Sequence, residues 1–236
     1  MTVQIDGPLK IGQCELYLGD SNKIVNSFAD ASIDCFVSSF PFYDRDLGFG
    51  DYKRICEHEP RGNCPYYTWY VANVALFTRK SAHYVLVLNS EEREKWIYRY
   101  SDPEHCWRWI KAPSAYRTKS NPIFVYRNSE SDKNIIGKAW ATIFWDRPLE
   151  GYSFVMEPIR VSDHPYEDPA KVYEELLYIL YKLGCRSVCD PFMGKATTLV
   201  AALRTGFERI IGIEIDPMYF KLAENRIRAE GIQSHL

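Results

Sequence analysis

The sequence predicts an α/β fold: a central, mostly parallel sheet with helices on both faces. Two observations carry this expectation. Short apolar and β-branched runs alternate with helix-length amphipathic segments along the chain, which is the signature of βαβ units. The last fifth of the chain reads as an unbroken strand, loop, helix, strand and helix.

In order, Cys14–Leu18 reads as a strand stopped by Gly19-Asp20, with a short helix following to about Phe28. Ile33–Ser38 reads as a buried strand that ends at Ser39-Phe40-Pro41-Phe42. Residues 44–62 carry the glycine and charge of a loop. Pro65 opens a helical pattern through Trp69, Val74 and Phe77, as proline does in a first turn. Tyr84–Leu88 is a β run, and 91–100 reads as helix. Short β-like runs at 123–126 and 139–145 are separated by polar turns. Residues 169–183 form an amphipathic helix with Gly184 as its C-cap. Then come a strand at 186–189, a loop at 190–196, a helix at 197–205, a strand at 210–215 and a helix at 217–230.

The 236 residues suit one domain, with 102–163 as an inserted target-recognition region. Net charge is −2, so a nucleic-acid partner needs a local basic patch. Residues 105–147 supply one: eight Lys or Arg against three acids give +5. Trp107, Trp109, Tyr116 and Tyr126 are interleaved with those charges. Trp109 and Tyr126 are expected in the core, and the remainder is open to phosphate contact. Seven cysteines with no C-x-x-C pair point to reduced, buried thiols and a cytoplasmic setting. Cys56, His58 and Cys64 match no common zinc spacing, and no metal is expected. No apolar run approaches the ~20 residues of a membrane span.

The loop Asp190-Pro-Phe-Met-Gly-Lys-Ala-Thr-Thr198 lies between a strand and a helix. At such a place a helix N-terminus presents N–H groups and positive potential to an anionic ligand group. Gly194 permits close approach or positive φ. Glu214 ends the following strand, 24 residues after Asp190. That is near the spacing at which an acid meets ribose hydroxyls in doubly wound folds.

These residues resemble the cofactor motif of the permuted, β-class S-adenosylmethionine-dependent DNA amino-methyltransferases, whose loop usually reads D-P-F-x-G-S-G-T-T. Lys195 and Ala196 stand where serine and the second glycine usually sit. Leu16-Tyr-Leu-Gly-Asp20 resembles that family's strand-Gly-Asp element, and His164-Pro165 with Pro169 its segment ahead of the loop. The resemblance covers roughly 14–45 and 160–230. It implies a Rossmann-like methyltransferase fold with circularly permuted motif order and S-adenosyl-L-methionine as cofactor. Asp190, Phe192, Gly194 and Thr197 would line its methionine end, Glu214 its ribose and Asp20 its adenine. A cation at Lys195 disfavours a sulfonium unless it turns to solvent or to the cofactor's carboxylate. Alanine replaces glycine without strain only at negative φ, so a negative φ is expected at Ala196.

Ser39-Phe40-Pro41-Phe42 resembles the family's catalytic [D/N/S]-P-P-[Y/F/W], with phenylalanine in place of the first proline. Acceptors aimed at a base amine favour its pyramidal, nucleophilic form. The Ser39 side chain and the Phe40 carbonyl are the candidates. Pro41 keeps residue 40 extended, and Phe42 would stack on an extruded base. Serine at the first position leans toward cytosine N4 over adenine N6. The implied partner is DNA. RNA on the same scaffold and a non-catalytic cofactor binder are the alternatives. With little chain for a separate recognition domain, a short target or help from a second subunit, a homodimer, is expected. All of this requires the Ser39 turn and the Gly194 loop to meet along one sheet edge.

Overall fold

Five parallel strands form the middle of the sheet, as the alternation of strand and helix segments requires. The computed structural model describes residues 7–41, 65–88, 105–110, 120–127, 153–155 and 170–233. Among these, the strands are β1 (Leu9–Ile11), β2 (Cys14–Leu18), β3 (Ile33–Ser39), β4 (Ser81–Leu88), β5 (His105–Ile110), β6 (Ser120–Arg127), β7 (Ser153–Val155), β8 (Ser187–Asp190) and β9 (Arg209–Glu214). They form one sheet in the order β1-β2-β9-β8-β3-β4-β6-β5-β7. From β2 to β4 every neighbouring pair is parallel. β1 and β6 join the two sides of this block antiparallel. The described helices are α1 (Ser21–Asn26), α2 (Pro65–Lys80), α3 (Ala170–Lys182), α4 (Thr197–Thr205) and α5 (Pro217–Gln233).

The helices divide between the two faces. Leu176 and Leu180 of α3, Leu199 of α4 and Ile227 of α5 pack with Val37, Val188 and Ile210. Val25 of α1 and Tyr70, Val74 and Phe77 of α2 pack with Phe36, Val85 and Ile211. Alternate residues of one strand, Phe36 and Val37, therefore serve opposite cores, which is why these strands read as continuous apolar runs.

The connections explain the division. β3-α2-β4 steps one way along the sheet, and β8-α4-β9 steps the other. Parallel crossovers are right-handed, so opposite steps place their helices on opposite faces. The reversal falls between β8 and β3, and ligands of open α/β sheets bind at the carboxyl ends of strands there. Asp34 and Ser187 are 153 positions apart in the chain, yet polar contacts between them hold β3 and β8 in register. Both the Arg186 and Ser187 N–H groups donate to Asp34 Oδ2 at 2.8 Å, and the Asp34 N–H donates to Ser187 Oγ at 2.8 Å. On the other flank Arg209 grips Glu15 through two bonds of 2.9 and 3.1 Å, aligning β9 with β2.

Some expectations needed adjustment. β1 was not anticipated; three residues ahead of the Gly12 turn are too short to show a period. β3 runs one residue further than expected, through Ser39, and β4 starts at Ser81, directly after α2. Tyr126 is buried as expected, its hydroxyl 3.2 Å from that of Tyr70. Gly184 has φ +98°, in keeping with a C-cap. The segments 44–62, 91–100 and 139–145 lie outside the described residues, as do Cys56, His58, Cys64 and the His164-Pro165 and Pro169 segment. Among the described residues no helix is long and apolar enough to cross a membrane.

Candidate functional site

The carboxyl ends of β2, β9, β8 and β3 lie side by side, and every described site residue sits on this edge. Backbone pairing between β3 and β8 reaches Phe36 opposite Cys189. Beyond it β8 ends in the loop 191–196, while β3 continues to Ser39 against Leu88 of β4. The Ser39 turn and the Gly194 loop thus flank the reversal point.

Asp190 is at the centre of the polar network. It is only 3% exposed. Its Oδ1 accepts from Ser38 Oγ at 2.6 Å and from the Phe192 N–H at 3.0 Å, and the Thr198 side chain is a further partner. Burial lifts the carboxyl to about 6; these three bonds oppose the rise and nearby Glu214 adds to it. The ionised form, where it occurs, is sustained by donors that the fold holds in place.

The loop is folded back onto β9. The Met193 N–H donates to the Ile213 carbonyl at 3.0 Å, and the Gly194 N–H donates to Glu214 Oε2 at 2.9 Å. Gly194 has φ +50°, with open space where a Cβ would stand. Glu214 Oε1 accepts from the Ile215 and Asp216 N–H groups. Burial raises the Glu214 pKa and these backbone donors resist the rise. Its neighbour across the sheet is the end of β2: the Gly19 N–H donates to the Glu214 carbonyl at 2.8 Å. Asp20 follows and caps α1, accepting from the Asn22 N–H at 2.9 Å. Asp20 and Glu214 therefore sit on adjacent strand ends, while Asp190 is one strand further along.

Ala196 overturns one expectation. Its φ is +63° and ψ +33°, left-handed backbone, where a negative φ was expected. The loop keeps the geometry a glycine would give it and places an alanine there, at a cost of roughly 1–2 kcal/mol for an L-residue in that region. Its methyl is fully buried. Alanine also offers no cap to α4, so the first turn presents its N–H groups to the loop without a side-chain partner from that position. Thr197 Oγ1 accepts from Arg226 Nη1 at 3.0 Å, and the same guanidinium nitrogen donates to the Lys195 carbonyl at 3.1 Å. Thr198, not Thr197, reaches Asp190.

The turn after β3 has an aromatic floor. Phe40, 2% exposed, touches Tyr70, Phe192, Trp69 and Phe77 at centroid distances of 4.8, 5.2, 5.7 and 5.8 Å. Its side chain is core, which leaves its backbone as the functional part, and burial supplies some of the rigidity that the missing proline would give. Ser39 and Pro41 are half-buried at the edge. Phe42 lies outside the described residues. Sequence reasoning missed Ser38, Thr198, Arg226 and Trp69. Ser38 carried the one available signal, as a polar residue within an otherwise apolar buried strand.

A reversal point lined by a glycine loop, an uncapped helix N-terminus and two strand-end acids defines a doubly wound domain for a nucleotide-type cofactor. The loop fits one of mixed charge: N–H groups for a carboxylate, Glu214 and Asp20 for hydroxyl or amine donors, open space at Gly194 for close approach. The DNA methylase family model matches residues 48–225, and the chain belongs to that family. The match includes the loop and Glu214 and begins after the Ser39 turn. Over 67 residues the chain is 39% identical to the Type II methyltransferase M2.DpnII of Streptococcus pneumoniae; that stretch is 28% of this chain and 24% of the relative, about a quarter of its length. Among solved structures, the cytosine-N4-specific PvuII DNA methyltransferase superposes with TM-score 0.65 at 18% identity, covering 97% of this chain and 95% of that one. A DNA modification methylase of Thermus thermophilus in complex with S-adenosyl-L-methionine gives 0.58 at 21%, covering 92% and 95%. At such identities these structures establish the fold.

Proposed function

We propose that this chain transfers a methyl group from S-adenosyl-L-methionine to the exocyclic amine of a DNA base, cytosine N4 in preference to adenine N6. The observation that carries the reading is the meeting of the Ser39 turn and the Gly194 loop on one sheet edge, with Ser38 bonded to Asp190 between them. The bound cofactor supplies an electrophilic methyl on a sulfonium.

The chain's own residues do the rest. The N–H groups at the start of α4 hold a carboxylate, and Glu214 and Asp20 hold the ribose and adenine ends. The base must leave its stack to enter the edge. The Ser39 hydroxyl and the Phe40 carbonyl then accept hydrogen bonds from its amine, holding the lone pair toward the methyl and stabilising the charge that develops. Pro41 keeps Phe40 extended so that its carbonyl holds that direction. Phe42 stacks on the base, worth about 1–3 kcal/mol by analogy with single-strand binders. No covalent enzyme intermediate is needed, in keeping with the thiols nearest the described site: burial pushes Cys35 and Cys189 far above their ordinary pKa.

The test is nucleoside mass spectrometry after incubating the protein with mixed DNA and RNA and a deuteromethyl-labelled cofactor. Label on N4-methylcytosine from DNA is the expected result. Label on N6-methyladenine corrects the base, label only in RNA corrects the polymer, and no label with either rejects catalysis. Ser39→Ala and Phe42→Ala should each lower transfer; if both leave it intact, the catalytic assignment fails.

A further inference from the structure

We propose that Ser38 is a positioning residue whose hydroxyl latches the base-binding turn to the cofactor loop. Ser38 lies outside both motifs, and the role given to it rests on the proposed reaction.

β3 and β8 are neighbours, but their residue-by-residue pairing is last seen at Phe36 and Cys189. Past that point a site at a reversal needs the two strand ends apart, and backbone bonds cannot span the gap. Ser38 spans it. It is 2% exposed, and its Oγ lies 2.6 Å from Asp190 Oδ1. The Ser39 carbonyl is further away, 3.4 Å from the same Oγ. A hydroxyl has one hydrogen to give, and the shorter, charge-assisted contact takes it. The same Asp190 oxygen receives the Phe192 N–H. One carboxylate oxygen thus joins the residue before Ser39 to the second residue of the loop. The Phe40 and Phe192 rings, 5.2 Å apart, join the same two segments on the apolar side.

The consequence is a division of labour. Ser39 and the Phe40 carbonyl need no contact with the loop to accept from an amine, but their distance from the methyl depends on what holds β3 against β8. Displacement by about 1 Å can cost a hundredfold in rate. Loss of Ser38 should therefore appear in turnover more than in cofactor binding.

The experiment compares wild type with Ser38→Ala, Ser38→Cys and Ser38→Thr. It uses calorimetric affinity for S-adenosyl-L-methionine without DNA, steady-state methyl transfer to DNA, and thermal melting. Ser38→Ala should lose about tenfold to a hundredfold in kcat, with cofactor affinity changed less than about threefold. Ser38→Cys keeps the volume with a weak donor and should behave like alanine. Ser38→Thr keeps the hydroxyl and should recover most of the rate. In an Asp190→Asn background, Ser38→Ala should cost far less, since the partner charge is already gone. A kcat for Ser38→Ala or Ser38→Cys within about twofold of wild type overturns the latch. So does a loss that is the same size in the Asp190→Asn background. A wild-type chain that neither binds the cofactor nor transfers methyl overturns the proposed reaction instead, and the role of Ser38 with it.

Discussion

Replacing Asp190 by asparagine should give a protein that gains stability over wild type as the pH rises, and that transfers methyl groups more slowly. The carboxyl is buried, and burial lifts it from its ordinary 3.8 to about 6. The folded state therefore holds this proton more tightly than the unfolded chain does. Stability contributed by the neutral form is fully present below about pH 4 and is lost as the pH rises through about 6. A gap of about two units corresponds to about 3 kcal/mol. Asparagine has the same shape and no charge. Its carbonyl oxygen can accept from Ser38 and from the Phe192 N–H, as Asp190 Oδ1 does. Its amide can donate to the Thr198 hydroxyl, which then accepts where it had donated.

The variant does not titrate at this position, so its stability relative to wild type should rise by about 3 kcal/mol between pH 4 and pH 7. The assay is urea unfolding of both proteins across that range, reading the difference in free energy at each pH. Carboxylates common to both proteins cancel in the difference, apart from the modest repulsion that Glu214 exerts on Asp190. A difference that is flat with pH, or that falls, refutes a buried carboxylate at this site. Methyl transfer by the variant at pH 8 should drop at least tenfold while its melting temperature rises. Charge kept in the interior at a cost in stability is retained where function uses it.

Further consequences concern the loop and the strand beside it. At Ala196 the left-handed φ of +63° should make Ala196→Gly nearly neutral in unfolding free energy, strain relief of about 1–2 kcal/mol being offset by about 0.8 kcal/mol for the buried methyl and by added chain flexibility. Ala196→Val should lose more than about 2 kcal/mol, since a β-branched residue resists that region; a valine variant as stable as wild type contradicts the backbone geometry. At Gly212 a Cβ would stand 2.6 Å from Leu199 Cδ2 and closer still to Met193 Sδ, so Gly212→Ala should cost about 1–3 kcal/mol in denaturant unfolding, and unchanged stability would show that Met193 and Leu199 yield freely.

How far the sequence reveals this molecule follows from which forces act locally. The strands that became β2, β3, β8 and β9 are legible because burial on both faces leaves each as a short apolar run with a polar stop. The Asp190 loop is legible because a strand end, a glycine and a helix start occur in order within one short stretch of chain. Ser38, Thr198 and Arg226 are not legible, because what selects them is contact between residues separated in sequence: 152 positions separate Ser38 from Asp190 and 29 separate Thr197 from Arg226. Ala196 shows the opposite error. Residue identity argued for negative φ, yet the fold imposes the turn: the Ala196 N–H donates to the Met193 carbonyl at 2.7 Å, and its own carbonyl accepts the first bond of α4 from the Val200 N–H. Backbone bonds at both ends hold φ positive against the side-chain preference.

The arrangement of acids on this edge leads to a final expectation. Asp20, Asp190 and Glu214 end or follow three strands of the parallel block, and burial raises the pKa of both Asp190 and Glu214. Such a site is short of positive charge. A sulfonium brought beside Asp190 favours its ionised form, and by linkage a ligand that lowers a pKa binds more tightly once the proton is gone. Affinity for S-adenosyl-L-methionine should therefore rise between pH 5 and 7, and binding at pH 6 should release a fraction of a proton, read by calorimetry in buffers of different ionisation enthalpy. S-adenosylhomocysteine is the control, since it keeps the nucleoside and amino-acid ends and lacks the sulfonium charge. Its affinity should vary less over the same range. Equal pH dependence for the two ligands would assign the effect to the amino-acid or ribose contacts and remove Asp190 from the electrostatics of the methyl group. A steeper rise for the charged ligand that disappears in Asp190→Asn would place the buried carboxylate beside the sulfonium.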